Sequence, residues 1–346
     1  MKKKIFLLDT LPGTLFEKEI NGYLFPDIEL VINMPDDVQI NIQNHSYHFE
    51  RVNINTQDAQ QIFSVAKRFG GFHAIKLRKN IPIRKNLLCD LVGKELITPL
   101  QVIGQAGVGL NHIDIQAAAS LKIEVINTPG SNAAAVAEFT LLQMLALLHR
   151  TDWHQRQMYT GSWTKTMRPP SCSLNDVKIG LIGSGAISQA LLHLLKPFTP
   201  QVTILGSSRF TDKKAEAMGV IRASNINALL IDNDIISLHL PLTTETHHLI
   251  NSVTLPHFKK GAYLLNMARG GLIDEKALAS FMHQNPGWIS GVALDTFENE
   301  GEHFSTPMRA FDEALLTPHI AGSTSSAILN SALKVQQAIL SNLELI

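Results

Sequence analysis

Cysteine, net charge and long apolar runs are all scarce in this sequence of 346 residues. Its two cysteines, Cys89 and Cys172, form no CxxC pair, and no cluster of histidine and cysteine has the spacing of metal ligands. A small scaffold held by disulfides is therefore excluded, no metal site is expected, and a reducing compartment is favoured. The 30 lysine and arginine residues balance 30 aspartate and glutamate residues. A chain with zero formal charge lacks the global basic field that attracts nucleic acids or acidic membranes, so neither is expected as a partner.

No apolar run is long enough to suggest a membrane protein. The longest, residues 133–148, contains Glu138 and Gln143 and is shorter than the roughly 20 residues of a membrane span. The apolar run at the amino terminus stops at Asp9, before it reaches the roughly 7–15 residues of a secretion signal. We therefore expect a soluble, cytoplasmic protein.

Apolar residues are plentiful overall. Hydrophobic types make up 45% of the chain and charged types only 17%, so large cores can be buried. At about 100–200 residues per domain, the length predicts two domains. Short apolar runs alternate with amphipathic stretches almost throughout, a pattern typical of parallel α/β proteins.

The pattern predicts strands in two series. The first part of the chain has candidates at residues 4–9, 28–34, 73–78, 101–105 and 124–127. The second part has six candidates, at residues 177–182, 202–205, 235–240, 262–267, 291–295 and 314–317. Six buried strands with intervening helices predict a doubly wound sheet.

Other segments separate or complete these two series. A polar stretch at residues 35–60 has weak periodicity and is interpreted as an excursion without an assigned function. A long helix is predicted from the turn at Gly130 to about His149, and a Pro/Ser cluster at 168–171 precedes the second series. The last helix, about 324–345, has no strand after it and can pack back on the first domain.

A glycine-rich turn stands between the first strand and first helix of the second series. Gly183 permits a tight turn, and Gly185 lets the backbone approach a pyrophosphate at the helix N-terminus. Ser188 replaces the third glycine of the dinucleotide fingerprint. In this strand–turn–helix setting, the turn predicts a dinucleotide site; a glycine turn that only packs is the alternative.

The end of the next strand bears on which dinucleotide is bound. An acidic residue about 20 positions after the turn would bind the ribose 2′-hydroxyl of NAD. Here the strand ends at Gly206, and Ser207, Ser208 and Arg209 follow. Hydroxyls and a guanidinium suit a 2′-phosphate, so NADP is favoured over NAD, although an ordinary solvated basic loop has the same composition.

Three later segments, at residues 266–274, 293–300 and 316–322, follow predicted strands and carry an arginine, glutamates and a histidine. Open α/β sheets bind ligands at the carboxyl edge, so these side chains can converge there. Reduction of a 2-oxo acid needs a cation to polarise the carbonyl group. It also needs a proton donor whose pKa is high enough to stay charged near neutrality, such as a histidine paired with a carboxylate.

Taken together, these motifs resemble the D-isomer-specific 2-hydroxyacid dehydrogenases from about Val102 to Thr324. The resemblance rests on the glycine turn, on the three segments above, and on four further pieces in family order: residues 107–114, 127–132, 136–138 and 238–246. It implies two Rossmann-like α/β domains with doubly wound parallel sheets and an active site in the cleft between them. The substrate-binding domain would comprise residues 1–128 and 324–346, and the dinucleotide-binding domain residues 129–323.

The resemblance also implies three catalytic residues. Arg269 would hold the carboxylate and carbonyl oxygen of the substrate, and His319 would protonate that oxygen. Glu300 would pair with His319 and raise its pKa; it is chosen over Glu298 because the family's glutamate lies five residues after the aspartate, here Asp295. The remaining histidines are interpreted as solvated or structural.

Further contacts follow from the same resemblance. The backbone amides of Val108 and Gly109 would grip the substrate carboxylate, and Arg78 lies in the segment that aligns with the substrate loop. Asp295 would meet the nicotinamide carboxamide. Other cofactor contacts would be Ala186, Ile187, Leu240, Pro241 and Met267. A homodimer built on the long helix after Gly130 is expected.

Departures from the family pattern leave the substrate open. Gly301 stands where a proline usually follows the glutamate, and Lys79 and Asn80 replace small residues in the substrate loop. A glyoxylate/hydroxypyruvate-type 2-oxoacid reductase is the leading hypothesis, and a 3-phosphoglycerate or D-lactate dehydrogenase is the alternative within the same chemistry. A dinucleotide-sensing, corepressor-like binding protein is an alternative of another class. A methyltransferase does not account for the arginine, glutamate and histidine.

Overall fold

The computed structural model describes residues 2–35, 49–166 and 171–346. The predicted excursion at 35–60 lies partly outside these residues, and the Pro/Ser cluster lies outside them except for Ser171. Contacts divide the chain into two compact units: Met1–Asn132 together with Ser323–Ile346, here the first unit, and Ala133–Gly322, the second unit.

The described residues form strands and helices that alternate along most of the chain. The strands are β1 (Lys3–Leu7), β2 (Ile28–Asn33), β3 (Phe49–Val52), β4 (Ala74–Leu77), β5 (Val102–Gln105), β6 (Glu124–Ile126), β7 (Lys178–Ile182), β8 (Gln201–Leu205), β9 (Ile221–Arg222), β10 (Ile235–Leu238), β11 (Ala262–Asn266), β12 (Ile289–Leu294) and β13 (Ala314–Leu316). The helices are α1 (Thr14–Asn21), α2 (Ala59–Phe69), α3 (Lys85–Leu91), α4 (Ile115–Ser120), α5 (Ala133–His149), α6 (Thr151–Tyr159), α7 (Ala186–Leu195), α8 (Asp212–Met218), α9 (Ile226–Asp232), α10 (Glu275–Gln284) and α11 (Ser325–Asn342).

The first unit contains a six-stranded parallel sheet in the order β3-β2-β1-β4-β5-β6. Successive side chains of a strand point to opposite faces. Phe6 accordingly joins the core beneath α2 and α3, whereas Ile5 and Leu7 join the core beneath α1 and α11. The terminal helix α11 approaches β5 closely at Gly104, where a Cβ atom would lie 2.5 Å from Ile339.

The second unit contains a seven-stranded parallel sheet in the order β13-β12-β11-β10-β7-β8-β9. Helices α5 and α7 cover one face, and α9 and α10 cover the other. The chain leaves β7 toward β8 and returns on the other side at β10. This reversal opens a crevice at the carboxyl ends of β7 and β10, where doubly wound sheets bind ligands.

All eleven predicted strands are present, with ends that differ by one or two residues. Among the residues that the structure describes, two strands were not predicted. β3 lies inside the stretch interpreted as an excursion, and its inner residues Glu50 and Arg51 are exposed. β9 is a two-residue edge strand with both side chains exposed. Neither has the buried apolar run from which strands are recognised.

The long helix has the predicted extent, and the terminal helix ends at Asn342 rather than at about Leu345. α5 runs from Ala133 to His149 and buries Val136 and Met144. α11 begins after Thr324, whose side chain accepts a hydrogen bond from the amide of Ala327. Across the described ranges, the helices are too short or too polar to cross a bilayer.

Candidate active site

The glycine turn joins β7 to α7, and its two glycines have different surroundings. Gly183 has a φ of 115°, and a Cβ atom there would lie 2.2 Å from the carbonyl oxygen of His239. Only glycine fits this backbone. At Gly185, by contrast, a Cβ atom would meet nothing within 4 Å. The fold therefore requires Gly183, whereas Gly185 leaves open space in front of the α7 N-terminus, as a pyrophosphate site needs.

Ser188 is fully buried, and its hydroxyl donates a hydrogen bond to the carbonyl oxygen of Gly183 at 2.7 Å. The serine thus replaces the third glycine without leaving an unpaired polar atom. It also fixes the start of the turn, so this departure from the fingerprint is compatible with dinucleotide binding.

The segment after β8 is exposed at Ser207, Ser208 and Arg209. It is anchored by Phe210, which is buried and whose amide donates to the carbonyl oxygen of Ser207 at 2.8 Å. The next carboxylate in the sequence, Asp212, forms an ion pair of 3.1 Å with Arg222. The hydroxyls and guanidinium predicted to meet a 2′-phosphate therefore lie in solvent at the end of β8.

Arg269 follows β11 on a loop that a buried asparagine holds. Asn266 donates to the carbonyl oxygen of Arg269 at 2.7 Å and accepts from the amide of Ala268 at 3.0 Å. The guanidinium is partly buried, and its Nη1 donates to the carbonyl oxygen of Ala268 at 2.6 Å. The backbone of this loop is thus fixed before any ligand binds.

Asp295, directly after β12, is completely buried. Its carboxylate accepts hydrogen bonds from the Thr317 hydroxyl at 2.6 Å and from the amides of Ile320 at 2.9 Å and Ala321 at 2.8 Å. These three bonds tie the loop after β13 to the end of β12. Asp295 therefore fixes the segment that carries His319.

His319 and Glu300 meet at this edge of the sheet. His319 Nδ1 lies 2.9 Å from Glu300 Oε2, and the amide of Phe297 donates to Glu300 Oε1 at 3.1 Å. His319 adopts a left-handed backbone with a φ of 55°, which a residue other than glycine rarely adopts. The side chains are 49% and 40% exposed, so the pair remains accessible to a small molecule.

The pair shifts the pKa of both of its members. The hydrogen bond that His319 donates to Glu300 raises the pKa of His319 above its ordinary value, although partial burial opposes the rise. Partial burial acts to raise the pKa of Glu300, but the hydrogen bond and positive charge of His319, with smaller contributions from Phe297 and Arg269, bring it below its ordinary value. A charged imidazolium–carboxylate pair is therefore favoured near neutrality.

The structure also separates the two candidate glutamates. Glu298 Oε1 lies 2.6 Å from His248 Nε2, and the Glu298 side chain is not the one that pairs with His319. A cavity of about 400 Å³ lies beside the Glu300–His319 pair, which forms part of its wall. Its apolar lining residues are Phe297, Phe304, Leu316 and Pro318. Of the two carboxylates, Glu300 is the one placed to act on His319.

The remaining predicted cofactor residues lie at the same edge of the second unit's sheet. Ala186 and Ile187 form the first turn of α7. Leu240 and Pro241 follow β10, and Met267 follows β11 and is buried. All five therefore lie around the carboxyl ends of β7, β10 and β11.

In the first unit, the predicted substrate residues follow β4 and β5. The Asp9 carboxylate accepts hydrogen bonds from the amides of Arg78 at 3.0 Å and Lys79 at 2.7 Å. Val108 is exposed, and its carbonyl oxygen accepts from the Asn127 side chain at 2.8 Å. Gly109 is partly exposed beside it. Both segments thus present backbone at the carboxyl edge of the first sheet.

Three residues with contacts near the carboxyl edge of the second unit's sheet were given no functional role from the sequence: Asn266, His248 and Glu275. An asparagine after a strand is a common turn residue, and a glutamate in the first turn of a helix is expected to complement the helix dipole. The partners of Asn266 lie two and three residues away in its own loop. His248 and Glu275 instead contact Glu298, on the loop after β12, so no local pattern could identify these two.

The segment that carries the glycine turn and the three strand-end loops matches a known family. Residues 141–321 match the family model described as D-isomer specific 2-hydroxyacid dehydrogenase, NAD binding domain. This chain belongs to that family. The matched residues lie within the second unit, which therefore carries the NAD-binding domain of a D-2-hydroxyacid dehydrogenase and supports a nicotinamide dinucleotide as cofactor.

Relatives with different substrates in their names are similar to this chain. It is 37% identical over 261 residues to a glyoxylate reductase of Thermofilum pendens. The aligned region covers 73% of this chain and 76% of the relative. It is 38% identical over 229 residues to a D-3-phosphoglycerate dehydrogenase of Methanocaldococcus jannaschii. The aligned region covers 66% of this chain but only 43% of that longer relative. A solved D-lactate dehydrogenase of Treponema pallidum has a TM-score of 0.76 at 23% identity over 99% of this chain and 97% of that one, and shares the fold.

These comparisons bear on several predictions made from the sequence. The family, the two doubly wound α/β sheets and the class of NAD-dependent D-2-hydroxyacid dehydrogenase are confirmed. The preferred acid, the preference for NADP and the homodimer stay predictions.

Proposed function

We propose that this protein reduces a small 2-oxo acid of the glyoxylate or hydroxypyruvate type to the corresponding D-2-hydroxy acid with NAD(P)H. The observation that carries the proposal is the Glu300–His319 pair, held 2.9 Å apart at the strand edge that also presents Arg269. A proton donor, its carboxylate partner and a fixed guanidinium are the groups that carbonyl reduction requires.

Arg269 would bind the carboxylate and the carbonyl oxygen of the acid. Its guanidinium offers paired donors that match a carboxylate, and it remains charged at any physiological pH. Because the hydrogen bonds of Asn266 already fix the Arg269 loop, little reorganisation is needed when the substrate binds. The positive charge also stabilises the negative charge that develops on the carbonyl oxygen.

His319 would donate the proton from Nε2 to that oxygen while Nδ1 stays paired with Glu300. The raised pKa of His319 keeps the imidazolium available near neutral pH. In the reverse direction, the neutral imidazole would take the proton back from the hydroxyl group. Glu300 would remain ionised throughout and orient the ring.

The cofactor fits the glycine turn because the space in front of Gly185 is open and the amides of the α7 N-terminus follow it. Gly183, Gly185, Ala186 and Ile187 would hold the pyrophosphate. When bound, the nicotinamide supplies the hydride that adds to C2 of the acid. Leu240, Pro241, Met267 and Asp295 would line its site.

The proposed preference for NADP rests on the segment after β8. Ser207, Ser208 and Arg209 are exposed there, and the sequence places no carboxylate at this strand end. A carboxylate would bind the 2′-hydroxyl of NAD and repel a 2′-phosphate. NAD remains the alternative cofactor.

We assign substrate binding to the first unit and dinucleotide binding to the second. Val108 and Gly109 would supply amides to the substrate carboxylate, with Arg78 beside them on the neighbouring strand. A homodimer is supported by exposed apolar side chains in and after α5 and α6: Leu142 is 56% exposed, Tyr159 89% and Trp163 76%. A cytoplasmic location fits this proposal.

The test is oxidation of NADPH and of NADH by the purified protein with glyoxylate, hydroxypyruvate, pyruvate, oxaloacetate, 2-oxoglutarate and phosphohydroxypyruvate. We expect turnover of glyoxylate or hydroxypyruvate, faster with NADPH. Preferred turnover of phosphohydroxypyruvate or pyruvate would instead support the 3-phosphoglycerate or D-lactate alternative. Tight cofactor binding with no turnover of any acid would contradict the proposal and favour a sensor.

A further inference from the structure

We propose that Glu275 is a positioning residue: its buried carboxylate fixes the loop of residues 297–300 so that Glu300 meets His319. The inference rests on the proposed function of the Glu300–His319 pair. Glu275 itself lies at the start of α10, and it would act only through the loop.

Glu275 has the contacts of an anchor. The residue is 2% exposed, and Oε1 accepts a hydrogen bond from the amide of Glu298 at 2.7 Å. The hydroxyl of Thr306 gives it a second hydrogen bond. Burial raises the pKa of Glu275, and the carboxylates of Glu298 and Glu300 oppose its ionisation too, although these hydrogen bonds act in the other direction. An acidic residue placed so unfavourably calls for a local explanation.

Helix capping does not supply that explanation. The N-cap of α10 is Asp274, whose side chain accepts from the amide of Ala277 at 2.9 Å. The helix N-terminus is therefore already satisfied by the preceding residue. The direct side-chain contact of Glu275 instead runs to a residue 23 positions further along the chain.

The loop that Glu275 holds is the one that carries Glu300. Glu298, whose amide it binds, stands next to Phe297, and the amide of Phe297 donates to Glu300 Oε1 at 3.1 Å. On the other side of the loop, the backbone of Gly270 packs closely against it: a Cβ atom on Gly270 would lie 2.0 Å from the carbonyl of Phe297. Residues 297–298 are thus enclosed between the turn after Arg269 and the first turn of α10.

Loss of the Glu275 acceptor would leave the amide of Glu298 without its partner in a partly buried hydrogen bond. The loop would then shift until this amide meets water, because a partly buried donor without a partner is unfavourable. Any shift of Phe297 and Glu298 displaces Glu300 from His319 Nδ1. The pKa of His319 would fall toward its ordinary value, and proton donation would suffer with it.

Three variants of the full-length protein test this. Glu275→Met keeps the length of the side chain and removes the acceptor, whereas Glu275→Gln keeps an oxygen that can accept from the Glu298 amide. Leu278→Ala, in the same helix, removes a fully buried apolar side chain and serves as the control for general destabilisation. For each we would measure Tm, the pH profile of kcat/KM, and the titration of His319 by NMR.

We expect Glu275→Met to lower kcat/KM about 10- to 100-fold, the scale of a small displacement of a reacting group. The His319 titration should move to lower pH in Glu275→Met and return in Glu275→Gln. Leu278→Ala should lower Tm and leave the His319 titration in place. If Glu275→Met behaves like Leu278→Ala, with a lower Tm and an unchanged His319 titration, Glu275 is structural and the inference is wrong.

The NMR titration keeps this inference separate from the proposed function. A wild-type protein that reduces no 2-oxo acid, but whose His319 titration shifts in Glu275→Met, would support the positioning role and reject the reductase. A wild-type protein that is an active reductase, but whose His319 titration is unchanged by Glu275→Met, would reject the positioning role alone.

Discussion

Glu300 and His319 are 19 residues apart in the sequence, and Oε2 of one lies 2.9 Å from Nδ1 of the other. Glu300 lies on the loop after β12 and His319 on the loop after β13, and these strands are parallel neighbours. The pairing therefore depends on strand order. It is also maintained from both sides, since Asp295 holds the His319 loop and the Phe297 amide binds Glu300.

The first prediction concerns pH. Reduction needs protonated His319, so the rate should fall as pH rises through the pKa of His319, which Glu300 holds above its ordinary value. Glu300→Gln removes the negative charge that favours the imidazolium and should move this limb to lower pH. The check is the pH profile of kcat/KM, with Glu302→Gln, a change at an exposed carboxylate nearby, as the control. An unmoved limb in Glu300→Gln would contradict the assignment.

Stability should respond to the same pair with opposite signs at the two ends of the pH range. The raised pKa of His319 contributes stability at low pH, which is lost as pH rises through the folded-state value. The lowered pKa of Glu300 contributes stability at higher pH, which is lost as pH falls through its folded-state value. Both side chains are more than a third exposed, so solvent screening keeps these contributions small.

His319→Ala should nearly abolish turnover, with a loss in kcat on the order of 10²–10⁴-fold, because the proton donor is gone. The affinity for NADPH should change little, since the glycine turn is untouched. Steady-state kinetics and cofactor titration by fluorescence measure the two quantities. Loss of cofactor binding together with turnover would assign His319 a structural role.

The two glycines of the turn should respond differently to alanine. In Gly183→Ala, the new Cβ would meet the His239 carbonyl at 2.2 Å at a positive φ, so the fold should be destabilised. In Gly185→Ala the Cβ enters open space, so Tm should stay while cofactor affinity falls. Thermal melts and cofactor titrations separate the outcomes; an unchanged affinity in Gly185→Ala would place the pyrophosphate elsewhere.

Arg209→Ala should weaken binding of NADPH and spare NADH. A charge-assisted hydrogen bond contributes roughly 1.5–3 kcal/mol, so KM for NADPH should rise about 10- to 100-fold. NADH is the internal control, because it lacks the 2′-phosphate. Equal losses for both cofactors would refute a contact between Arg209 and that phosphate.

Lys76 should be important for the stability of the first unit. It is fully buried and lies 2.5 Å from Glu19 and 3.4 Å from Asp9, which binds the amides of Arg78 and Lys79. Lys76→Met leaves two carboxylates without their cation and should reduce the free energy of unfolding by about 3–5 kcal/mol. Urea denaturation measures the loss. Adding Glu19→Gln should restore part of it; a further loss in the double variant would show that the charges are not the cause.

The sequence predicted most of the sheet architecture because parallel strands buried on both faces consist of continuous apolar runs. It also placed the glycine turn, since the sharp turn after β7 needs glycine at Gly183. It missed β3 and β9, whose exposed residues carry no such run. Edge strands take their conformation from a neighbouring strand, so their own composition says little.

The sequence by itself determined the chemistry available at the carboxyl edge: an arginine, two nearby glutamates and a histidine after buried strands. The residues alone did not decide whether Glu298 or Glu300 pairs with His319, and the resemblance to the family supplied the choice of Glu300. The tertiary structure separated them, because parallel pairing of β12 with β13 sets Glu300 against His319 while Glu298 pairs with His248. It likewise supplied the contact from which we propose a role for Glu275, since contacts between distant segments depend on strand order and register, which local sequence does not encode.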